Sequence, residues 1–215
     1  LRTMARDFLT DKCPKTLVKE LEENENGYSP ELWKEMVELG WTGLVIPEAY
    51  GGSEMTFLDL AVLLEEIGRA AMPGPYFSTV VLGSLPIMEY GTEEQKQKYL
   101  PKIAGGEAIF TFAITEESGG YDAASINITA RENGDSYTLS GTKMFVPDAN
   151  VADYILCAAR TGEDITVFIV DAKSDAIRIN PLKTLAGDKL NEVVFENISV
   201  PKENILGEAG QGYEI

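Results

Sequence analysis

The sequence predicts an α+β protein in two domains, an N-terminal all-α helical domain over residues 1–106 and an antiparallel β-sandwich or barrel-like domain over residues 107–215. In the first half, apolar residues recur about every 3.6 positions, the period of an α-helix, whereas after Glu107 the period is about two. The second half also contains several short strand-like runs with no helix between them. That pattern favours a sandwich or barrel over a Rossmann sheet.

The composition is that of an ordinary soluble protein, with 44% hydrophobic and 25% charged residues in a chain of 215. A net charge of −17 argues against nucleic acid or an anionic membrane as the main partner. No apolar run approaches the roughly 20 residues that a membrane span needs. Cys13 and Cys157 form no CxxC motif, so we expect inert thiols in the cytoplasm or another reducing soluble compartment, such as the mitochondrial matrix.

The absence of histidine excludes several kinds of site within this chain. A histidine-based metal site, a Ser-His-Asp triad and a Cys-His dyad all require that residue. No GxGxxG motif follows a strand, and no Walker A lysine is present, so the common nucleotide-binding fingerprints are missing as well. We therefore nominate no metal ligand and no catalytic residue from these patterns.

The helical half contains recognisable helix starts. Ser29 precedes Pro30 and an apolar series, Thr56 stands three residues before Asp59, and Thr92 stands three before Gln95; each pattern is typical of an N-cap. Residues 77–90 read as one nearly all-apolar, buried helix, in which Pro86 predicts a kink or break near Leu85.

The second half reads as a series of strands. The apolar residues of 126–130 and 137–139 alternate on either side of a polar turn at 132–135, as in a β-hairpin. Further strands are expected at 154–159, 165–170, 177–180 and 192–200.

Two stretches near the boundary are the best candidates for binding, residues 110–122 (FTFAITEESGGYD) and 141–148 (GTKMFVPD). The first begins as an aromatic and β-branched run and then becomes a polar loop with paired glycines. Such a loop can present backbone N–H groups to a ligand, and the seam between two domains is a frequent place for one.

Six segments, in order and spacing, resemble the N-terminal helical and middle β-domains of the acyl-CoA dehydrogenase family. They are IPEAYGG (46–52), LLEEIGRA (63–70), GTEEQKQKYLPKIAGGE (91–107), FAITEESGGYD (112–122), LSGTKMFV (139–146) and VPKENILGEAGQGY (200–213). The resemblance implies an FAD-dependent oxidation of acyl-CoA thioesters. A carboxylate removes the proton α to the thioester carbonyl, a hydride passes from the β carbon to flavin N5, and an electron-transfer flavoprotein usually reoxidises the flavin.

The resemblance also implies what this chain lacks. In the family the catalytic carboxylate, much of the homotetramer interface and part of the adenosine site belong to a C-terminal helical domain that is missing from this sequence. The chain alone is therefore expected to bind flavin weakly and to be inactive.

By position in the family, the flavin-binding residues would come from both candidate stretches and the substrate contacts from the helix over 77–90. The cofactor set is Phe112, Ile114, Thr115, Gly119, Gly120, Tyr121, Phe145, Val146 and Pro147, and the substrate set is Ser78, Leu82 and Tyr121.

Three of these residues depart from the family pattern. Pro147 stands where a Thr or Ser commonly donates to the flavin, and proline offers neither a hydroxyl nor an N–H. Tyr121 stands where Ser is common, and Phe145 where Trp is common. Two alternatives therefore stay open: a non-catalytic partner subunit of a heteromeric dehydrogenase, and a flavin oxidase or hydroxylase of the same fold.

Three charged residues in the candidate stretches have plainer expected roles. Glu116 and Glu117 are adjacent on a strand or loop, so their side chains point apart, and a solvated or structural role is favoured over an acid–base pair. Lys143 is expected to be solvated, as a lone lysine on a hairpin usually is.

Overall fold

The computed structural model describes residues 1–120 and 122–215. Helices occupy the first half of the described chain: α1 Arg2–Lys12, α2 Lys15–Glu23, α3 Pro30–Glu38, α4 Phe57–Ala70, a π-helix Phe77–Ser84, α5 Leu85–Tyr90 and α6 Glu93–Ala104. Strands occupy the second: β1 Phe110–Ala113, β2 Thr129–Asn133, β3 Ser136–Pro147, β4 Tyr154–Thr161, β5 Asp164–Asp171, β6 Ile177–Leu182, β7 Leu190–Pro201 and β8 Ile205–Leu206. The predicted class, helices followed by a mostly antiparallel sheet, is confirmed.

The predicted helix starts are confirmed. Each could be predicted because it depends on neighbouring residues alone. At α4, Thr56 Oγ1 accepts from the Asp59 N–H across 3.3 Å, and the Thr56 N–H donates to Asp59 Oδ2 across 3.0 Å. Thr92 and Gln95 form the same reciprocal pair of bonds at α6. Such capping boxes satisfy two N–H groups that a helix end would leave without partners.

The apolar helix predicted over 77–90 changes type at the expected place. It is a π-helix as far as Ser84 and an α-helix from Leu85. Proline has no N–H to donate to an earlier carbonyl, so one hydrogen bond of the helix is missing at Pro86. Gly83 lies directly against β1, where a Cβ atom would come within 2.4 Å of the Phe110 Cβ. The π-helix therefore packs closely on the first strand.

The strands form one sheet in the order β6-β7-β3-β2-β4-β5-β8, with β1 also paired to β4. The hairpin expected around residues 132–135 is present as β2 and β3, with Gly134 in its turn at φ 60°. Most pairs are antiparallel, but β1 runs parallel to β4. β2 also meets β4 through one parallel pair, Thr129 with Arg160, so the sheet is mixed rather than purely antiparallel.

Polar and aromatic contacts join the helices to the sheet. Gln95 Nε2 donates to the carbonyl oxygens of Glu203 and Ile205, across 2.8 Å and 2.7 Å. The rings of Tyr99, Phe110 and Tyr154 contact one another, with Phe110 and Tyr154 stacked at a centroid distance of 4.9 Å. The buried apolar residues form one cluster across both halves.

An ion-pair cluster joins α1 to α4. The Glu66 side chain is buried and contacts the guanidinium groups of Arg2, Arg6 and Arg69. Hydrogen bonds from Arg6 and Arg69 lower the pKa of Glu66 to about 2. Within the described residues, no helix is long and apolar enough to cross a membrane, and no group of three His, Cys, Asp or Glu side chains is placed to hold a metal ion.

Candidate functional site

The segment after β1 is anchored on β3, and this brings the two candidate stretches together. The Met144 N–H donates to the Thr115 carbonyl across 2.8 Å, and Lys143 Nζ donates to the Ile114 carbonyl across 2.9 Å. The side chains of Ile114 and Phe145 remain on the surface, 41% and 53% exposed. Each of the two joined segments therefore exposes one large apolar side chain that the described chain does not cover.

A buried ion pair lies beneath this segment. Lys143 Nζ is 2.8 Å from Glu116 Oε1, and the lysine side chain is fully buried. Glu116 also accepts from the N–H groups of Asn127 and Ile128, across 2.9 Å and 3.1 Å. Burial raises the pKa of Glu116, but the bond and charge of Lys143 outweigh it, so the net pKa lies below its ordinary value.

The expectation that Lys143 is solvated was therefore wrong, while the structural role favoured for Glu116 agrees with the contacts. Lysine is almost never fully buried unless it is paired, and here the pair lies across two segments that sequence alone does not place together. Glu117, the neighbour of Glu116, is exposed, as adjacent residues that point apart should be.

A bulge in β3 determines which side chains reach the surface. The pairing of β3 with β7 shifts register between Lys143 and Val146, and Phe145 takes a left-handed φ of 56°. Without the bulge Phe145 would share the inward face of Lys143; instead Phe145 is exposed and Val146 is buried. Of these two residues predicted to contact the flavin, only Phe145 therefore presents its side chain at the surface.

The other predicted cofactor residues fall into two groups. Phe112 is buried in β1, and the Pro147 carbonyl accepts from Thr111 Oγ1 across 2.5 Å. Thr115 is half-buried, and its hydroxyl makes no hydrogen bond among the described residues. A Thr115 hydroxyl without a partner in the described chain can donate to a ligand.

The glycine loop is held by its own contacts. Gly119 is exposed at φ 69°, donates its N–H to the Glu116 carbonyl and has open space where a Cβ would lie. At Gly120 a Cβ would come within 1.8 Å of Ser125 Oγ, so only glycine fits. Arg160 holds the far side of this loop through the carbonyls of Ala123 and Ile126. Tyr121, predicted for both cofactor and substrate, lies outside the described residues.

Ser78, predicted to contact substrate, contacts an acid that the sequence analysis did not single out. Its Oγ donates to Asp148 Oδ2 across 2.6 Å and lies 3.1 Å from the Pro75 carbonyl oxygen. Burial raises the pKa of Asp148, the bond from Ser78 lowers it and the charge of Asp188 raises it, with a net rise. Leu82, the second predicted contact, is half-buried one π-helical turn further along.

Asp148 was missed because a charged residue after a proline at a strand end is typical of a solvated turn. The available signal was its position at the end of the GTKMFVPD stretch. Asp148 also takes a left-handed φ of 52°, which aspartate tolerates better than most residues.

Two family models match the chain. The N-terminal domain of acyl-CoA dehydrogenase matches residues 1–107, and the middle domain of acyl-CoA dehydrogenase matches residues 111–198. Among curated proteins, the chain is 34% identical to a 3-(aryl)acrylate reductase of Clostridium sporogenes, over 99% of this chain and 59% of that protein.

Solved structures are similar over nearly the whole chain. An acyl-CoA dehydrogenase complexed with FAD from Bacillus anthracis superposes with a TM-score of 0.90 at 34% identity, covering 99% of this chain and 38% of that one. The ChsE4-ChsE5 complex from Mycobacterium tuberculosis superposes with a TM-score of 0.88 at 30% identity, covering 99% and 57%. The chain therefore spans about three fifths or less of the length of these relatives, and with both domain models matched in order it belongs to the acyl-CoA dehydrogenase family.

Proposed function

We propose that the full-length protein is an FAD-dependent acyl-CoA dehydrogenase that introduces a double bond between the α and β carbons of an acyl-CoA thioester. The observation that carries the proposal is the exposed apolar surface of Ile114 and Phe145, beside the Thr115 hydroxyl and the Gly119-Gly120 loop. Large apolar side chains exposed together mark a binding surface rather than a solvated one.

The residues present fit a flavin in most respects. A flat ring system can lie on Ile114 and Phe145, with Thr115 as a hydrogen-bond donor at its edge. The open backbone at Gly119 suits the approach of a pyrophosphate, whose charge the N–H groups of a loop can bind despite the net charge of −17. Phe112 and Val146 are buried, so they would contribute backbone and support rather than side-chain contact.

When bound, the flavin supplies the hydride acceptor, which no side chain can replace. The residues of this chain would hold the ring, orient it and exclude water from one face. Glu116 does not supply the base, because it is tied to Lys143 and to two backbone N–H groups and is not available to remove a proton. We infer that the carboxylate is contributed by a part of the protein outside this chain.

The family relation supports further parts of the proposal. We infer an acyl-CoA substrate, an electron-transfer flavoprotein as acceptor, a role in fatty-acid metabolism and an oligomer, either a homotetramer or a heteromer, in a reducing soluble compartment. We also place the boundary between the helical and middle domains at residues 106 and 107. Light scattering of the full-length protein tests the oligomer.

The main test is flavin binding and its dependence on Phe145. Purified full-length protein saturated with FAD should show flavin absorbance at roughly 350–500 nm that acyl-CoA bleaches without oxygen. Phe145→Asp places a charge on the apolar surface at a φ that aspartate tolerates, and should remove the bound flavin. Phe57→Asp alters another exposed aromatic, at the start of α4, and serves as the matched control. Equal flavin content in both variants would contradict the assigned surface, and no flavin in any of them would contradict the function.

A second candidate function is a non-catalytic partner subunit of a heteromeric dehydrogenase. Pro147 favours it, because this position offers no N–H and no hydroxyl, and its carbonyl is already bonded to Thr111. The similarity to a two-component complex is compatible with it. Bleaching of flavin by acyl-CoA in a homo-oligomer of this protein alone would eliminate this candidate.

A further inference from the structure

A cleft of about 370 Å³ opens beside the candidate site. It lies between α2, residues 71–74, the end of β3 and residues 186–190. Val18, Leu21, Met72, Pro73 and Leu190 give it largely apolar walls. At about 30 Å³ per water-sized unit, it has room for on the order of ten non-hydrogen atoms. We refer to it as the Asp148 cleft.

Asp148 is half-buried and lines this cleft at the end of β3. Its Oδ2 is occupied by Ser78, whereas Oδ1 makes no hydrogen bond among the described residues. A buried oxygen without a partner would be costly, and Oδ1 is not such an orphan, so it must be reachable through the cleft. Asp148 therefore presents one free acceptor to whatever enters.

The other charged groups of the cleft do not satisfy that acceptor. Lys189 donates its Nζ to the Glu22 carbonyl across 2.8 Å, and Asp188 is exposed at the rim. Neither Asp188 nor Glu22 makes a hydrogen bond to Asp148 among the described residues. The carboxyl is thus fixed by Ser78 on one side and open to a donor on the other.

We propose that the Asp148 cleft binds the end of an acyl substrate that carries a hydrogen-bond donor, a hydroxyl or an ammonium group, with Asp148 Oδ1 as its acceptor. The proposal rests on the acyl-CoA dehydrogenase function given above and names its substrate class. Apolar walls accommodate the methylene groups of a short acyl chain, and the single acceptor selects the polar end. A site built on a buried acceptor rejects an analogue that lacks the donor more strongly than an apolar pocket rejects an extra methylene.

The test compares three acyl-CoA thioesters of equal chain length on the FAD-loaded full-length protein: unsubstituted, terminally hydroxylated and terminally aminated. The expected result is a kcat/KM for one donor-bearing thioester about tenfold or more above that of the unsubstituted one. The variant Asp148→Leu should abolish this preference. Asp148→Asn removes the charge but keeps an amide that can hydrogen-bond a hydroxyl through either its oxygen or its NH2, so it should retain a preference for hydroxyl and lose one for ammonium. Asp135→Asn, in the exposed turn between β2 and β3, is the matched control.

Calorimetric titration with 1-butanol and with butylammonium chloride measures binding to the cleft without any reaction. Saturable binding of either probe, weakened at least tenfold by Asp148→Leu but not by Asp135→Asn, would support the site. If the thioesters are oxidised with no dependence on Asp148 and neither probe distinguishes the variants, the inference is overturned while the proposed function stands. If no thioester reduces the flavin, the proposed function fails, and the titrations alone decide whether the cleft binds donor groups.

Discussion

Lys143 and Glu116 are 27 residues apart in the sequence and form a buried ion pair of 2.8 Å that joins β3 to the segment after β1. The same Glu116 carboxylate accepts hydrogen bonds from the N–H groups of Asn127 and Ile128. The pair therefore fixes both ends of the glycine loop at once. Residues that never face a ligand can in this way determine where the ligand-facing backbone lies.

Replacing Lys143 by Met should destabilise the protein by about 3–5 kcal/mol, because it leaves the Glu116 carboxylate buried without its partner. Urea unfolding measures the free energy of unfolding. The exposed Lys183→Met is the matched control and should stay within about 0.5 kcal/mol of the wild type. The double variant Glu116→Gln, Lys143→Met should cost less than Lys143→Met alone. An equal cost for the two lysine variants would show that the pair contributes nothing.

The two loop glycines should respond differently to alanine. In Gly119→Ala the new methyl group contacts no other atom, so the only cost is that of alanine in the left-handed region. We expect a loss of about 1 kcal/mol in the free energy of unfolding. Gly120→Ala collides with Ser125 and should cost about 1–3 kcal/mol while weakening FAD binding. Adding Ser125→Gly removes the colliding atoms and should restore part of the affinity. FAD fluorescence titration of the full-length protein measures it, and failure of the rescue would contradict the packing at Gly120.

Asp148→Asn should stabilise the protein more as pH rises. Because the pKa of Asp148 is raised on folding, the folded protein binds more protons than the unfolded chain, and wild-type stability falls as pH rises between the two pKa values. Asparagine does not titrate, so the stability difference between variant and wild type should grow through that interval. Asp188, Lys189 and Glu22 are the charged groups facing the cleft. Urea unfolding from pH 4 upward measures the difference, and a flat difference would contradict the raised pKa.

Glu66→Gln should show the opposite dependence. The pKa of Glu66 is about 2 in the folded protein and about 4.3 in an unfolded chain, so its contribution is present above the unfolded value and is lost as pH falls toward 2. The variant should be less stable than the wild type at pH 7, and the two should converge in acid. Glu20→Gln, at an exposed carboxylate outside the ion pairs of the described chain, is the matched control. Acid titrations followed by circular dichroism test this.

Features that depend on near neighbours could be predicted from the sequence. The capping pairs at Thr56 and Thr92 act over three residues, and the β2–β3 hairpin depends on one turn and the alternation beside it. The change of helix type near Leu85 followed from one proline. The stretches 110–122 and 141–148 were expected together because of a family resemblance, and the bond from Met144 to Thr115 joins them.

Features set by distant contacts could not be predicted in this way. Burial of Lys143 depends on a carboxylate 27 residues away, and the contact of Asp148 with Ser78 spans 70 residues. The bulge that exposes Phe145 and buries Val146 breaks the alternation that a strand pattern assumes. Periodicity likewise cannot distinguish a π-helix from an α-helix in residues 77–84, since the segment is apolar on nearly every side.

The bonds of Gln95 to Glu203 and Ile205 have a consequence for any attempt to divide the chain. The amide belongs to the start of α6, while the two carbonyls lie 108 and 110 residues later. Expressing residues 1–106 alone would leave this amide without its two acceptors. It would also expose the ring of Tyr99 and the face of the π-helix that packs on β1. We therefore expect the two sequence-defined domains to melt together in a single calorimetric transition, each acting as part of the other's solvent-excluded interior.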